Sequence, residues 1–231
     1  MTTAEPKKPF IITVDGPSGS GKSTVCRKVA ARLEIGYIDT GAMYRCVGWA
    51  VSRAGLDLND EKGLEKLLAE LEIRFQPAGE KNLVFCNGQD VTRAIRTPEI
   101  DRLASAVSAI GIVRKALLPL QRAAAASGPA IIDGRDAGTV IFPDADLKIY
   151  LDADLETRAR RRLKDQAQEN GIDLEKVIAA IRQRDLNDSS RAHAPLKMAA
   201  DAVRIDTTRL TIDEVCEQII TLAQQRGFRH G

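Results

Sequence analysis

The chemistry this chain is best equipped for is concentrated in Gly16-Pro17-Ser18-Gly19-Ser20-Gly21-Lys22-Ser23. The spacing fits G-x-x-x-x-G-K-[ST], a loop that binds phosphate. Its glycines let the backbone curl until successive N–H groups point at one anion, and a helix beginning there adds partial positive charge. Lys22 is suited to reach β- and γ-phosphates, and the Ser23 hydroxyl to ligate Mg²⁺. Thr24 opens the run that follows. A second group of residues carries arginine beside hydroxyls and carboxylates. It comprises Asp39-Thr40-Gly41-Ala42-Met43-Tyr44-Arg45, Asp133-Gly134-Arg135-Asp136-Ala137-Gly138-Thr139-Val140 and Arg184-Asp185-Leu186-Asn187-Asp188-Ser189-Ser190-Arg191. Guanidinium presents a planar fork that matches phosphate oxygens two at a time. The chain therefore holds material for two anion sites.

The elements around these motifs decide whether they can converge. Phe10 to Val14 reads as a buried strand and Thr24 to Leu33 as a helix, which is the strand–loop–helix setting a phosphate loop requires. Gly36 to Ile38, Pro129 to Ile132, Leu147 to Leu151 and Val203 to Ile205 read as four more strands, alternating with helices such as Met43 to Arg53. That alternation predicts an α/β fold, a five-stranded parallel sheet covered by helices on both faces. The aspartate- and arginine-bearing motifs follow the second and third strands at loop positions on the carboxyl edge, where ligands of open α/β sheets bind. Thr211 to Arg226 closes the chain as a helix, with Thr211 and Glu214 spaced as a capping box.

Residues 57 to 97 interrupt the rhythm. Glu61 to Leu71 reads as a helix, Ile73 to Phe75 and Leu83 to Cys86 as strands, and Asn87-Gly88 as a tight hairpin turn. The organisation predicted is a core domain of residues 1–56 and 98–231 carrying a small inserted lobe at 57–97. Ile100 to Ala126 is helical with a break near Gly111. Thr157 to Gln168 and Leu174 to Asn187 are two further helices, the first carrying Arg158, Arg160, Arg161, Arg162 and Lys164.

Composition narrows the class. Hydrophobic residues make up 44% of the 231, charged residues 29%, and the formal net charge is +2. That balance is ordinary for a globular domain and supplies no bulk attraction to nucleic acid or membrane. The polar start of the chain has no signal-peptide core, so the expected compartment is the cytoplasm. Cys26, Cys46, Cys86 and Cys216 are too scattered for a metal site and read as reduced packing residues. The only histidines are His193 and His230, too few for a zinc site.

Taken together, the phosphate loop, Asp39 to Arg45, Ile95-Arg96-Thr97, Asp133 to Val140 with Phe142-Pro143-Asp144-Ala145, and Arg184-Asp185 through Arg191-Ala192 resemble bacterial cytidylate kinases over nearly the whole chain. The resemblance implies a P-loop kinase core, a monophosphate-binding lobe and a short lid at about 157–191. It implies transfer of the ATP γ-phosphate to CMP or dCMP; Mg²⁺ is expected with the ATP, and nothing in the sequence demands an oligomer, so a monomer is expected. Carried over by position, Gly16 to Thr24 would hold ATP under Arg161 and its neighbours in the lid. Arg45, Arg135 and Arg191 would hold the acceptor phosphate, supported by Asp39 and Thr40. Ser105, Arg114 and Asp136 would read cytosine, and Arg184 and Asp188 would contact the sugar. Lys22, Arg135, Arg184 and Arg191 would form the catalytic set. The chemistry agrees: an acceptor phosphate is already a nucleophile at neutral pH, so positioning and charge cancellation suffice without a general base. Asp133 and Asp15 are both candidates for the outer shell of the Mg²⁺, and the sequence does not choose between them.

Two other readings compete: a P-loop kinase for a different nucleotide or metabolite, and a nucleotide-binding switch. A GTP switch would carry [NT]-K-x-D, which no lysine here provides, and a binder without an acceptor has no use for a second arginine cluster.

Overall fold

A computed structural model describes residues 8–78, 81–165 and 173–229. Strand β1, Ile11–Asp15, is buried along its whole length and lies at the centre of a five-stranded sheet. The other strands are β2 (Gly36–Asp39), β6 (Ala130–Asp133), β7 (Leu147–Asp152) and β8 (Val203–Asp206), in the order β2-β6-β1-β7-β8. All four pairings are parallel. Each predicted strand of this sheet lies within one residue of its observed bounds; for β1, β6 and β7 the reason is that runs buried on both faces read as continuous apolar sequence.

Alternation along β1 and β6 divides the core. Ile12, Val14 and Ile131 face α1 (Lys22–Leu33) and α8 (Ile212–Gln225), packing with Val25, Val29, Val215 and Ile219. Ile11, Ala130 and Ile132 face the other side, with α2 (Thr40–Ala54), α4 (Pro98–Val107) and α5 (Gly111–Ala124). The Thr211–Glu214 capping box of α8 is formed. The four cysteines are free and buried.

Every strand of this sheet ends on an aspartate: Asp15, Asp39, Asp133, Asp152 and Asp206. Parallel strands in near register place these carboxylates along one edge. Asp39 caps α2 by accepting from Ala42 N at 2.8 Å, so α2 begins three residues before the predicted Met43. Arg45 lies on this helix, inside the predicted stretch Met43 to Arg53. Arg184 stands on α7, which runs Leu174–Ser190 with Arg191 as its C-cap and contains the predicted helix Leu174 to Asn187. The loop placement is corrected for Thr40 to Ala42, and the physical reason is that a capping side chain extends the helix into a motif whose polarity reads as loop.

Segment 57–97 folds as α3 (Glu61–Ala69) and an antiparallel sheet of β3 (Ile73–Ala78), β4 (Lys81–Cys86) and β5 (Gln89–Asp90). Asn87 and Gly88 both take positive φ, 48° and 77°, as the predicted tight turn requires. Leu64, Val84, Cys86, Val91 and Ile95 share one apolar cluster with residues of α2, α4 and α5. The predicted break falls between Val107 and Gly111, where α4 and α5 meet at 99°. α6 runs Leu155–Asp165; the predicted continuation to Gln168, like His230, lies outside the described residues. Among the described residues no single helix is long and apolar enough to cross a membrane.

Candidate active site

The phosphate loop leaves β1 at Asp15 and enters α1 at Lys22. A Cβ on Gly16 would lie 2.0 Å from the Leu151 carbonyl oxygen, so only glycine lets the loop pass β7 this closely. Gly21 adopts φ +93° as the N-cap of α1, a left-handed conformation that turns the amides inward. Asp185 accepts from Ser18 N at 3.1 Å, and Arg158 Nη1 donates to Ser18 O at 2.9 Å, which clamps the loop from outside.

Lys22 is 5% exposed. Its Nζ donates to Pro17 O at 2.7 Å and to Ser20 Oγ at 3.3 Å, and it makes no ion pair among the described residues. Burial, reinforced by the nearby Arg135 charge, pushes its pKa down to about 7. Next along the helix, Ser23 Oγ donates to Asp133 Oδ2 at 2.5 Å. Asp15 is engaged elsewhere. Both its oxygens accept backbone amides, from Ala137 and Gly138 at 2.8 Å each, and burial raises its pKa to about 6. Asp15 thus pins the single wide turn Ala137–Ile141, and Asp133 is the carboxylate beside Ser23.

A cleft of about 390 Å³ extends from this loop to α4. Its wall brings together Ser18 to Thr24, Asp39, Thr40, Arg45, Ser105, Arg135, Asp136, Arg161, Arg184, Asp188 and Arg191. Gly16, Pro17 and Arg114 are not part of the wall. Gly16 and Pro17 support the loop, and Arg114 pairs with Asp136 from behind. Thr40 Oγ1 donates to Asp133 O at 2.7 Å, joining β2 to β6 at the edge. Asp39 pairs with Arg96 at 3.0 Å.

Aspartates hold the arginines in place. Arg135 pairs with Asp188 at 2.9 Å, and Arg191 with Asp136 at 3.2 Å. Burial opposes the Arg135 charge, but Asp188 and Asp133 outweigh it and raise its pKa. Arg184 is less compensated. Its Nε is buried without a hydrogen-bond partner among the described residues, and burial together with Arg135 lowers its pKa to about 10. The cleft wall thus carries Lys22 and the phosphate-loop residues together with Arg45, Arg135, Arg184 and Arg191, and Arg135 lies near enough to Lys22 to help lower its pKa. Such a concentration of cationic groups in one cleft suits phosphate-bearing ligands.

The cytidylate kinase family profile matches residues 12–225. The chain belongs to the cytidylate kinase family. A cytidylate kinase of Syntrophotalea carbinolica is 49% identical over 218 residues, covering 94% of this chain and 93% of its own length. That of Geobacter sulfurreducens is 48% identical over 227 residues, 97% of each chain. Among solved structures, an uncharacterized protein from Eubacterium ventriosum superposes with TM-score 0.51 at 14% identity, covering 94% of this chain and 99% of its own. That likeness shows the fold alone.

In this cytidylate kinase family member several residues of the site were not singled out by sequence reasoning. Thr207, after β8, accepts from Arg161 Nη1 at 2.9 Å on its hydroxyl and from Nη2 at 2.7 Å on its carbonyl. Leu210, Ile212 and Val215 continue that side of the cleft as an apolar wall. The signal was available, since the loop after β8 lies on the same carboxyl edge as the recognised motifs. Tyr44 also lines the cleft, and its ring supports Arg114, whose guanidinium carbon is 5.5 Å from the ring centroid. The charge run on α6 divides its labour. Arg158 is built into the loop support, Arg160 is solvated beside Glu156, and Arg161 and Arg162 face the cleft. Periodicity alone does not make that division.

Proposed function

We propose that the chain transfers the γ-phosphate of ATP to CMP or dCMP, giving the corresponding diphosphate. The observation that carries this reading is one cleft lined both by a phosphate loop and by the arginines Arg45, Arg135, Arg184 and Arg191. Gly16 to Thr24 hold the triphosphate, Lys22 bears on the transferring group, and Arg161 closes over the donor. Arg45, Arg135 and Arg191 hold the acceptor phosphate, helped by Thr40 and Asp39. Ser105 and Asp136 read the base together with Arg114, which bears on it through its pair with Asp136, and Arg184 and Asp188 meet the sugar. The catalytic set is Lys22, Arg135, Arg184 and Arg191. The unpartnered Arg184 Nε has an acceptor to gain from a bound nucleotide.

Hard oxygen donors suit Mg²⁺, which keeps several waters and binds through few protein groups plus phosphates. Ser23 and Asp133 form such a donor set. Ser23 would hold the ion and Asp133 would stand in its outer shell, in preference to Asp15 with its two amide bonds. Bound with ATP, Mg²⁺ supplies charge neutralisation at the β/γ oxygens. The residues then have one task, to bring two anions together and exclude water.

The deciding measurement is ADP production by the purified chain with and without CMP. Production that requires CMP, with CDP formed in equal amount, is expected. CMP-independent hydrolysis or simple nucleotide retention would favour a binder, and dependence on another acceptor would favour a different P-loop kinase. The enzyme is further proposed to be cytoplasmic and monomeric, with no nucleic-acid or membrane partner.

Arg135→Ala separates the acceptor role from the donor role. Removing one member of a desolvated charge pair costs about 2–5 kcal/mol, and here the loss falls on CMP. Calorimetric titration is expected to show CMP affinity reduced at least 30-fold, by that same estimate, with ATP affinity nearly unchanged. An equal loss for both nucleotides moves Arg135 out of the acceptor site.

We also propose that residues 57–97 form a lobe inserted in a core of 1–56 and 98–231, and that the lobe and the lid at about 157–191 close on the bound pair. Closure suppresses wasteful hydrolysis. Hydrogen exchange in 57–97 and 158–188 is expected to slow when both nucleotides bind. Unchanged exchange in both segments means that the site is rigid.

A further inference from the structure

Asp101 stands in the first turn of α4, outside the wall of the cleft, and gathers three arginines from three other helices. Arg45 Nε of α2 donates to Oδ1 at 2.8 Å. Arg162 Nη2 of α6 donates to Oδ2 at 2.7 Å. Arg184 Nη1 of α7 lies 3.8 Å from Oδ2. Burial works against the Asp101 charge, but Arg45, Arg184 and Arg162 outweigh it and hold the carboxyl well below its usual range.

Arg162 has a second partner. Its Nη1 donates to Ser18 Oγ of the phosphate loop at 3.5 Å. A polar line therefore runs from Ser18 through Arg162 and Asp101 to Arg45. It joins the donor loop to an arginine of the acceptor site through two short charge-assisted bonds at Asp101, 2.8 and 2.7 Å, and a longer contact at Ser18, 3.5 Å. Arg45 is held through Nε, which leaves its forked Nη end for the cleft it lines.

We infer that Asp101 is a positioning residue that couples the two nucleotide sites by tying Arg162, on the donor side, to Arg45, on the acceptor side. The inference rests on the two-nucleotide reading above. An ATP that fixes Arg162 fixes the carboxylate it holds, and that carboxylate fixes the angle of Arg45 toward the acceptor phosphate. Linkage makes the effect reciprocal, so CMP tightens ATP by the same factor.

The test measures CMP affinity with and without a saturating non-hydrolysable ATP analogue, in the wild-type chain and in Asp101→Asn. The asparagine keeps the shape and removes the charge. In the wild type the analogue is expected to tighten CMP by about 5–150-fold, the usual span of such couplings. In Asp101→Asn the ratio is expected to fall below about threefold, on the same scale. A residue that merely steadies α4 would lower thermal stability, or weaken both ligands, and leave the ratio intact; an intact ratio overturns the inference. Uncoupled binding in the wild type overturns it equally. If Asp101→Asn does not fold, Arg162→Met cuts the same line at a more exposed point and must abolish the ratio. A wild-type chain that binds neither nucleotide would instead defeat the two-nucleotide reading itself.

Discussion

Lys22→Ala is expected to lower phosphoryl transfer by about 10³-fold at saturating ATP while the protein remains folded. The magnitude follows from removing one preorganised charge on a transferring group, an effect usually worth 10²-fold or more. Lys22 is buried, is bonded only to its own loop, and sits beside Arg135. Its charge is therefore placed for an anion and adds little to folding. The consequence for stability has a definite sign. The lysine titrates near 7 in the fold, against an ordinary value of 10.5. Between those values the unfolded chain binds more protons, so wild-type stability rises with pH across that window. The alanine variant loses this rise. Steady-state kinetics and thermal melts at pH 7 and 9 check both points. Near-wild-type turnover would remove the loop from the catalytic machinery.

Choice of base has the second large effect. Cytosine offers an N4 amino donor with O2 and N3 acceptors, whereas uracil presents an O4 acceptor and a proton on N3. Asp136 is 3% exposed and gripped from both sides, with Arg114 on Oδ2 and Arg191 on Oδ1. A carboxylate has lone pairs beyond those two bonds and can accept from N4. It cannot turn away when O4 is presented, because the arginines fix it and Tyr44 backs Arg114. A site that leaves a buried polar group unpaired discriminates by up to about 10⁴-fold. CMP and dCMP are therefore expected to exceed UMP in kcat/KM by a factor of that order. Asp136→Asn should lower CMP use and narrow the lead over UMP. Equal use of UMP by the wild type would refute the base-reading role of Ser105, Arg114 and Asp136.

What the chain determined by itself was local. In Gly16 to Ser23 the neighbours in sequence are the neighbours in space, so the spacing of glycines, lysine and serine already contains the geometry of the loop. Strands buried on both faces are legible for a similar reason, since burial leaves an apolar run wherever the partners lie. The family resemblance extended this to the arginine motifs, because it aligns residues without needing their contacts. The tertiary structure decided the pairings. Ser23 and Asp133 are 110 positions apart, and only the parallel pairing of β1 with β6 brings them to 2.5 Å, which separates Asp133 from Asp15. Asp101 reads in sequence as an ordinary acid in the first turn of a helix; its place among Arg45, Arg162 and Arg184 arises where α2, α4, α6 and α7 converge. Arg158 and Arg161 are three residues apart on one helix, yet one supports the phosphate loop and the other faces the cleft. A charged side chain's partner is chosen by approach in three dimensions, and residue type alone does not encode that approach.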